Sequence, residues 1–324
     1  MALDMTSLYD EIVQANKAIR PQVPVTPLER SHALSAALGC EAWLKCEHLQ
    51  PTGSFKVRGA ANKIRGLSAE ALRAGVVTAS SGNHGLAVAR TGKLAGASVT
   101  VCVAASAAKS KLDAIRAMGA ELVVLDAPPI EAELHARRLA ALQGQVYISP
   151  YNDLEVVAGQ GTAGLELFEQ VPDLDAVFVA VGGGGLIGGI GTVLKKLRPQ
   201  ARIVGVWPDN SPAMLRAIEA GAIVDFEEQP TLSDGTAGGI EPGSVTLPIC
   251  REVIDEMVTV SEAEIAGAMR RLAETDHWIV EGSAGVALAG LIKRAQAYKH
   301  AKISVVLCGR NISLERFMQA ISCG

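Results

Sequence analysis

From about residue 75 the hydrophobic positions fall into short β-branched runs. Each run is followed by a stretch with apolar residues at helical spacing. "GVVTA", "SVTVCV", "ELVVL" and "QVYI" read as strands, with "HGLAVARTGKLAG", "KSKLDAIRAMG" and "IEAELHARRLAALQG" as the helices between them. Further on, "AVFVAV", "ARIVGVW" and "ISVVLC" (Ile303–Cys308) read as strands and "LIGGIGTVLKKL" as a helix. Continuous apolar runs belong to strands covered on both sides, where neither face meets water. The alternation predicts an α/β fold of mostly parallel twisted sheets with helices on both faces. The turn cluster "SPYND" predicts a lobe boundary near Pro150.

Composition narrows the function classes. The 324 residues carry a net charge of -4, which argues against a nucleic-acid footprint. No apolar run reaches the length of a membrane span. The N-terminal stretch reads as an amphipathic segment and not as a signal peptide. Six cysteines, at positions 40, 46, 102, 250, 308 and 323, form no Cys-x-x-Cys pair. With no histidine pair at zinc spacing, reduced thiols in a cytoplasm and no structural zinc are expected. Aromatics are only 4% while glycines number 33, so the core must be aliphatic and close backbone approaches many.

Ligands of parallel sheets gather where strands end and helices begin. After "AVFVAV" come Gly182, Gly183, Gly184 and Gly185. A glycine loop at a helix start converges main-chain N–H groups on a phosphate. Gly183, Gly185 and Gly188, with Asp209 further on, also imitate a dinucleotide fingerprint. A bare glycine-rich turn is the third reading. After "GVVTA" come Ser80, Ser81, Gly82, Asn83 and His84. One helix cap explains one of these polar residues, not all of them; hydroxyls and N–H groups there would seat a carboxylate. His84 reads either as a hydrogen-bonded structural residue or as a catalytic one. Cys308, at the end of the last strand, is either a small apolar residue or a weak donor. Lys56 sits oddly in "PTGSFKVRGA", as either a surface lysine at a helix start or a nucleophile held in a pocket.

The stretches "TPLERSHALS", "WLKCEHLQPTGSFKVRGA", "TASSGNHGLAVA", "VVAGQGTAGLEL", "VAVGGGGLIGGI", "TLSDGTAGG" and "VVLCGRN" span Thr26 to Asn311. In this order and spacing they resemble the threonine and serine dehydratase group of fold-type II pyridoxal-phosphate enzymes. That group also includes serine racemases and hydroxyaspartate and phenylserine dehydratases. The resemblance implies a two-lobed, tryptophan synthase β-like architecture. Residues 1–70 and 150–324 would form a large cofactor-binding domain and residues 71–149 a small α/β domain. It implies pyridoxal 5'-phosphate as cofactor, with Lys56 as its Schiff-base lysine and Phe55 packed against its ring. Asn83 would bond the ring hydroxyl, Gly182 to Gly185 the phosphate, and Cys308 would lie near the pyridine nitrogen. Ser80, Ser81, Asn83 and His84 match the turn that receives the substrate carboxylate. Ser81 also matches the second base of racemases.

The implied reaction is dehydration and deamination of a β-hydroxy-α-amino acid, either threonine or serine or a bulkier one such as phenylserine or 3-hydroxyaspartate, to a 2-keto acid and ammonia. Lys56 must be neutral to act, first as a nucleophile and then as the base for the α-proton. A neutral Cys308 would weaken the ring as an electron sink and favour elimination. The alternatives are an amino-acid racemase and, in another class, an NAD-binding oxidoreductase on the glycine run. The chain departs from the group at the divalent-cation site. Trp207 replaces a glutamate there, Ser211 supplies only a carbonyl, and Ala213 lacks a carboxylate, so no metal is expected. Ser149 stands where many relatives carry histidine, followed by Tyr151 and Asn152, which predicts an altered side-chain pocket. No C-terminal regulatory module is expected, and a homodimer is the symmetric default.

Overall fold

Ten strands form two separate sheets in the computed structural model, which describes residues 4–127 and 129–322. They are β1 (Leu28–Arg30), β2 (Glu41–Lys45), β3 (Val76–Ala79), β4 (Val99–Ala104), β5 (Glu121–Leu125), β6 (Val146–Tyr147), β7 (Ala176–Ala180), β8 (Arg202–Pro208), β9 (Glu256–Val260) and β10 (Lys302–Val306). The larger sheet runs β1-β2-β10-β7-β8-β9, parallel except for β1 against β2. The smaller runs β5-β4-β3-β6 and is parallel throughout.

The central strands β3 and β4 of the smaller sheet are covered on both faces, as their apolar runs predict, whereas the edge strand β5 has no buried position and leaves Val124 exposed. Val76 and Val101 pack with Val57, Ile64, Val88 and Ile115 from helices on one side. Their neighbours Val77 and Cys102 pack with Ala136 and Ala140 from Pro129–Gln143 on the other. The larger sheet buries Phe178, Val204, Trp207, Val305 and their neighbours with helices Leu154–Gln170, Gly185–Leu197, Glu262–Thr275 and Gly282–Arg294. Three strands, β1, β2 and β9, lie outside the expected pattern. Two are sheet edges; β1 has no buried position, β2 alternates half-buried with buried positions and β9 is only partly buried, so they carry Glu and Lys instead of unbroken valines.

Two features fix the helices that frame the site. Helix Leu154–Gln170 is capped by the Asp153 carboxylate, which accepts from Glu155 N at 2.8 Å. It lies so close to Gly185–Leu197 that a Cβ on Gly189 would stand 2.5 Å from Gly161 N. The glycines of "VVAGQGTAGLEL" thus mark backbone contact between helices. Helix Lys56–Arg65 is tied down by a buried ion cluster. Arg58 bonds Glu47 and Glu166 at 2.7 Å each, and Lys45 bonds Glu166 at 2.7 Å, with all four side chains at most 1% exposed.

Candidate active site

The carboxyl ends of β3, β7 and β10 open onto one cleft of roughly 1160 Å³. The residues expected to bind cofactor or substrate line it: Phe55, Lys56, Ser80, Ser81, Asn83, His84, Gly182, Gly183, Gly184, Gly185 and Cys308; Ser149, Asn152, Trp207, Ser211, Ala213, Gly188 and Asp209 do not. Main-chain bonds bring the distant pieces together. Phe55 N donates to Cys308 O at 3.1 Å, and Ser54 pairs with Gly309 as a β-bridge. Lys56 therefore begins its helix stitched to the end of β10.

The Lys56 amine donates to Pro150 O at 2.9 Å and lies 5.2 Å from the centroid of the Phe55 ring. The side chain is partly open to the cleft, yet its amine lies deep among protein atoms. Burial pulls its pKa down to about 8, against the opposing pull of Cys308 and Glu281. Lys56 is therefore not a surface lysine. The Cys308 thiol is pushed well above its ordinary value, by burial first and by Glu281 next, and stays protonated.

The glycine run caps helix Gly185–Leu197. Gly184, at φ 83, is the left-handed cap that other residues adopt only under strain. A Cβ on Gly183 would fall 2.2 Å from the Tyr151 ring, so the loop and Tyr151 share one surface. Thr246 Oγ1 holds Gly183 O at 2.6 Å from behind. The helix N-terminus thus carries no side chain of its own from Gly182 to Gly185, and Tyr151 flanks it.

The serine turn precedes helix Asn83–Leu94. Ser80 Oγ accepts from Gly82 N at 3.2 Å. His84 is buried, and its Nε2 lies 3.0 Å from Ile148 O. Burial, helped by the Lys56 charge, lowers its pKa to about 3, so the ring is neutral. Asn83 Nδ2 donates to Glu281 Oε1 at 2.7 Å, and Asn311 Nδ2 donates to Asn83 Oδ1 at 2.5 Å.

Glu281 and Asn311 are site residues the sequence reading missed. Burial raises the Glu281 carboxyl to about 7. A helix cap followed by "GSAG" was the only local signal for it, and that signal reads as structure. Thr236, from the matched "TLSDGTAGG" stretch, lies across the glycine loop, its Cα 2.9 Å from where a Gly182 Cβ would be. Trp207 is fully buried, and a Cβ on Gly205 would meet its ring at 2.5 Å. The Ser211 hydroxyl bonds Glu228 at 2.7 Å. Among the described residues, no group of three or more His, Cys, Asp or Glu could hold a metal.

This arrangement is a buried amine, a glycine loop at a helix N-terminus and a protonated thiol around one cleft. Residues 19–309 match the family model described as "Pyridoxal-phosphate dependent enzyme", and the chain belongs to that family. It is 38% identical to an L-threonine ammonia-lyase of Thermotoga maritima, over 97% of this chain and 78% of that one. It is 35% identical to an L-threo-3-hydroxyaspartate ammonia-lyase of Saccharomyces cerevisiae, over 97% and 96%. Among solved structures, the processed threonine deaminase isoform 2 of Solanum lycopersicum superposes with a TM-score of 0.94 at 34% identity, over 99% and 94%. Maize serine racemase superposes at 0.90 and 33%, over 97% of each chain. The fold-type II assignment and the cofactor, pyridoxal 5'-phosphate, stand on these matches. The dinucleotide reading of Gly183, Gly185, Gly188 and Asp209 gives way to them.

No described helix is long and apolar enough to cross a membrane. Cys40, Cys46, Cys102, Cys250 and Cys308 are free and buried. Cys323 lies outside the described residues.

Proposed function

We propose that the protein is an ammonia-lyase that converts a β-hydroxy-α-amino acid to a 2-keto acid and ammonia. The observation that carries this is the Lys56 amine, drawn toward neutrality beside the glycine loop and a protonated Cys308.

Pyridoxal phosphate, held through Lys56, supplies an electron sink for charge developing at the α-carbon. Main-chain N–H groups of Gly182 to Gly185 would hold its phosphate and Asn83 its ring hydroxyl. Phe55 would pack on the ring, and Cys308 would face the ring nitrogen. Because Cys308 keeps its proton, it cannot hold that nitrogen in the cationic form, which favours elimination. Ser80, Ser81 and the N–H groups of Asn83 and His84 seat the substrate carboxylate at the helix start. The neutral Lys56 amine takes the α-proton; Pro150 O aims it. The β-hydroxyl leaves as water, and hydrolysis of the released unsaturated amine yields the keto acid and ammonia.

A second reading, an amino-acid racemase, draws on Ser81 in the same cleft, with Lys56 and Ser81 moving the α-proton on opposite faces. Chiral chromatography with L-serine separates the two. Keto acid outpacing D-serine supports the lyase, and the reverse order overturns it. We further propose residues 1–70 with 150–324 as the cofactor domain, residues 71–149 as the small domain, and a cytoplasmic homodimer.

A further inference from the structure

A side-chain amide has a donating end and an accepting end, and its partners tell the two apart. Both ends of the Asn83 amide are fixed, and the order is set from the main chain. Thr52 O can only accept, and Asn311 Nδ2 donates to it at 2.8 Å. The second hydrogen of that nitrogen goes to Asn83 Oδ1 at 2.5 Å. Asn83 therefore turns its nitrogen the other way, where Nδ2 donates to Glu281 Oε1 at 2.7 Å. Main chain holds Glu281 in turn. Its Oε2 accepts from Asn311 N at 3.2 Å, and its own N donates to Gly309 O at 3.2 Å. A Cβ on Gly309 would collide with the Glu281 carboxylate, so the glycine leaves room for that group.

Reversing the Asn83 amide would set its oxygen against Glu281 Oε1 and its nitrogen against Asn311 Nδ2. The first contact faces acceptor with acceptor and the second donor with donor, so both repel. Reversing Asn311 as well would only move the conflict to Thr52 O. The orientation of Asn83 is therefore imposed by its neighbours. Its Nδ2 carries two hydrogens, of which Glu281 takes one; the other has no acceptor among the described residues. Asn83, Glu281 and Asn311 all line the cleft.

Resting on the placement of Asn83 at the ring hydroxyl in the lyase reading, we propose that Glu281 and Asn311 are positioning residues. They lock the Asn83 amide so that its spare N–H, and not its C=O, meets the cofactor's ring oxygen. A donor there bonds the charged form of that oxygen more strongly than the hydroxyl form. A carbonyl in its place would do the reverse, by accepting the hydroxyl's proton in a hydrogen bond. The charged form gives the bound cofactor its yellow colour, and the hydroxyl form absorbs in the near ultraviolet, so colour reports which end of Asn83 faces the ring.

The test is the absorption spectrum of holoenzyme freed of unbound cofactor, at pH 8, where a Glu281 carboxyl raised to about 7 is mostly ionised. Asn83→Ala removes the donor itself and checks the placement. Glu281→Gln keeps one acceptor oxygen where two are bonded, and Asn311→Asp can donate to neither Thr52 O nor Asn83 Oδ1. Each of the three is expected to lower the ratio of yellow to near-ultraviolet absorbance about threefold or more, the scale of one hydrogen bond. Glu281→Gln removes a negative charge and Asn311→Asp adds one. A field effect alone would therefore move their two ratios in opposite directions, and that result overturns the proposal. Wild-type ratios in both, with a lowered ratio in Asn83→Ala, also overturn it while the placement of Asn83 stands. A wild-type ratio in Asn83→Ala removes the placement and the proposal with it. If Glu281→Gln or Asn311→Asp does not fold, Gly309→Ala takes its place, since it displaces the Glu281 carboxylate without changing charge. It too should lower the ratio, and a wild-type ratio there overturns the proposal.

Discussion

The amine of Lys56 donates to the main-chain carbonyl of Pro150 at 2.9 Å. That bond fixes a nucleophile whose pKa burial has lowered to about 8 from 10.5. In apoprotein, capture of pyridoxal phosphate requires the neutral amine. Its rate should therefore rise with pH through about 8 and level off above, as followed by absorbance in stopped flow. A midpoint near 10.5 would show that burial leaves the amine unperturbed.

Glu281 gives a second pH signature, in stability. Its carboxyl holds a proton up to about 7 when folded, against 4.5 ordinarily. Between those values the folded state binds the extra proton, so stability falls as pH rises through that window and the loss stays constant above it. The drop is up to about 3 kcal/mol. Urea unfolding of apoprotein at pH 5 and pH 8 should show a smaller drop for Glu281→Gln than for wild type. Equal drops would remove Glu281 from this account.

Gly183→Ala places a Cβ against the Tyr151 ring, at 2.2 Å before any relaxation. Tyr151 must move, at about 1–3 kcal/mol of folding stability. The glycine loop should lose cofactor with it. A lowered melting temperature with reduced bound pyridoxal phosphate is the expected pair of results. Full cofactor occupancy would show that the loop tolerates side chains.

Arg58→Met strips the buried Glu47 and Glu166 of their shared partner. Removing one member of such a cluster leaves unmet charge in the interior and should destabilise by about 3–5 kcal/mol. Urea denaturation reads this directly. A loss near zero would mean that Lys45 and Arg20, which both also pair with Glu166 at 2.7 Å, compensate.

Much of this was legible in the chain because parallel sheets place their ligands at strand ends. The glycine run, the serine turn and Cys308 follow predicted strands β7, β3 and β10, and a linear reading finds them. Lys56 was legible from its neighbours, since a lysine amid turn formers calls for an explanation. The family resemblance is borne out by the match over residues 19–309. Glu281 and Asn311 were not legible as site residues. Each reaches the cleft through contacts spanning about a hundred residues or more, Asn83 with Glu281 and Asn83 with Asn311. Locally each looks like a cap or a turn. Edge strands β1 and β9 were missed for a related reason, because a sheet edge tolerates charges that break an apolar run.

The most direct test of the central claim is borohydride reduction of the yellow holoenzyme followed by peptide mapping of the pyridoxyl adduct. The account predicts bleaching of the colour and a single modified residue, Lys56. An adduct on Lys45, Lys63 or Lys111, or a colourless protein with no adduct, would contradict it.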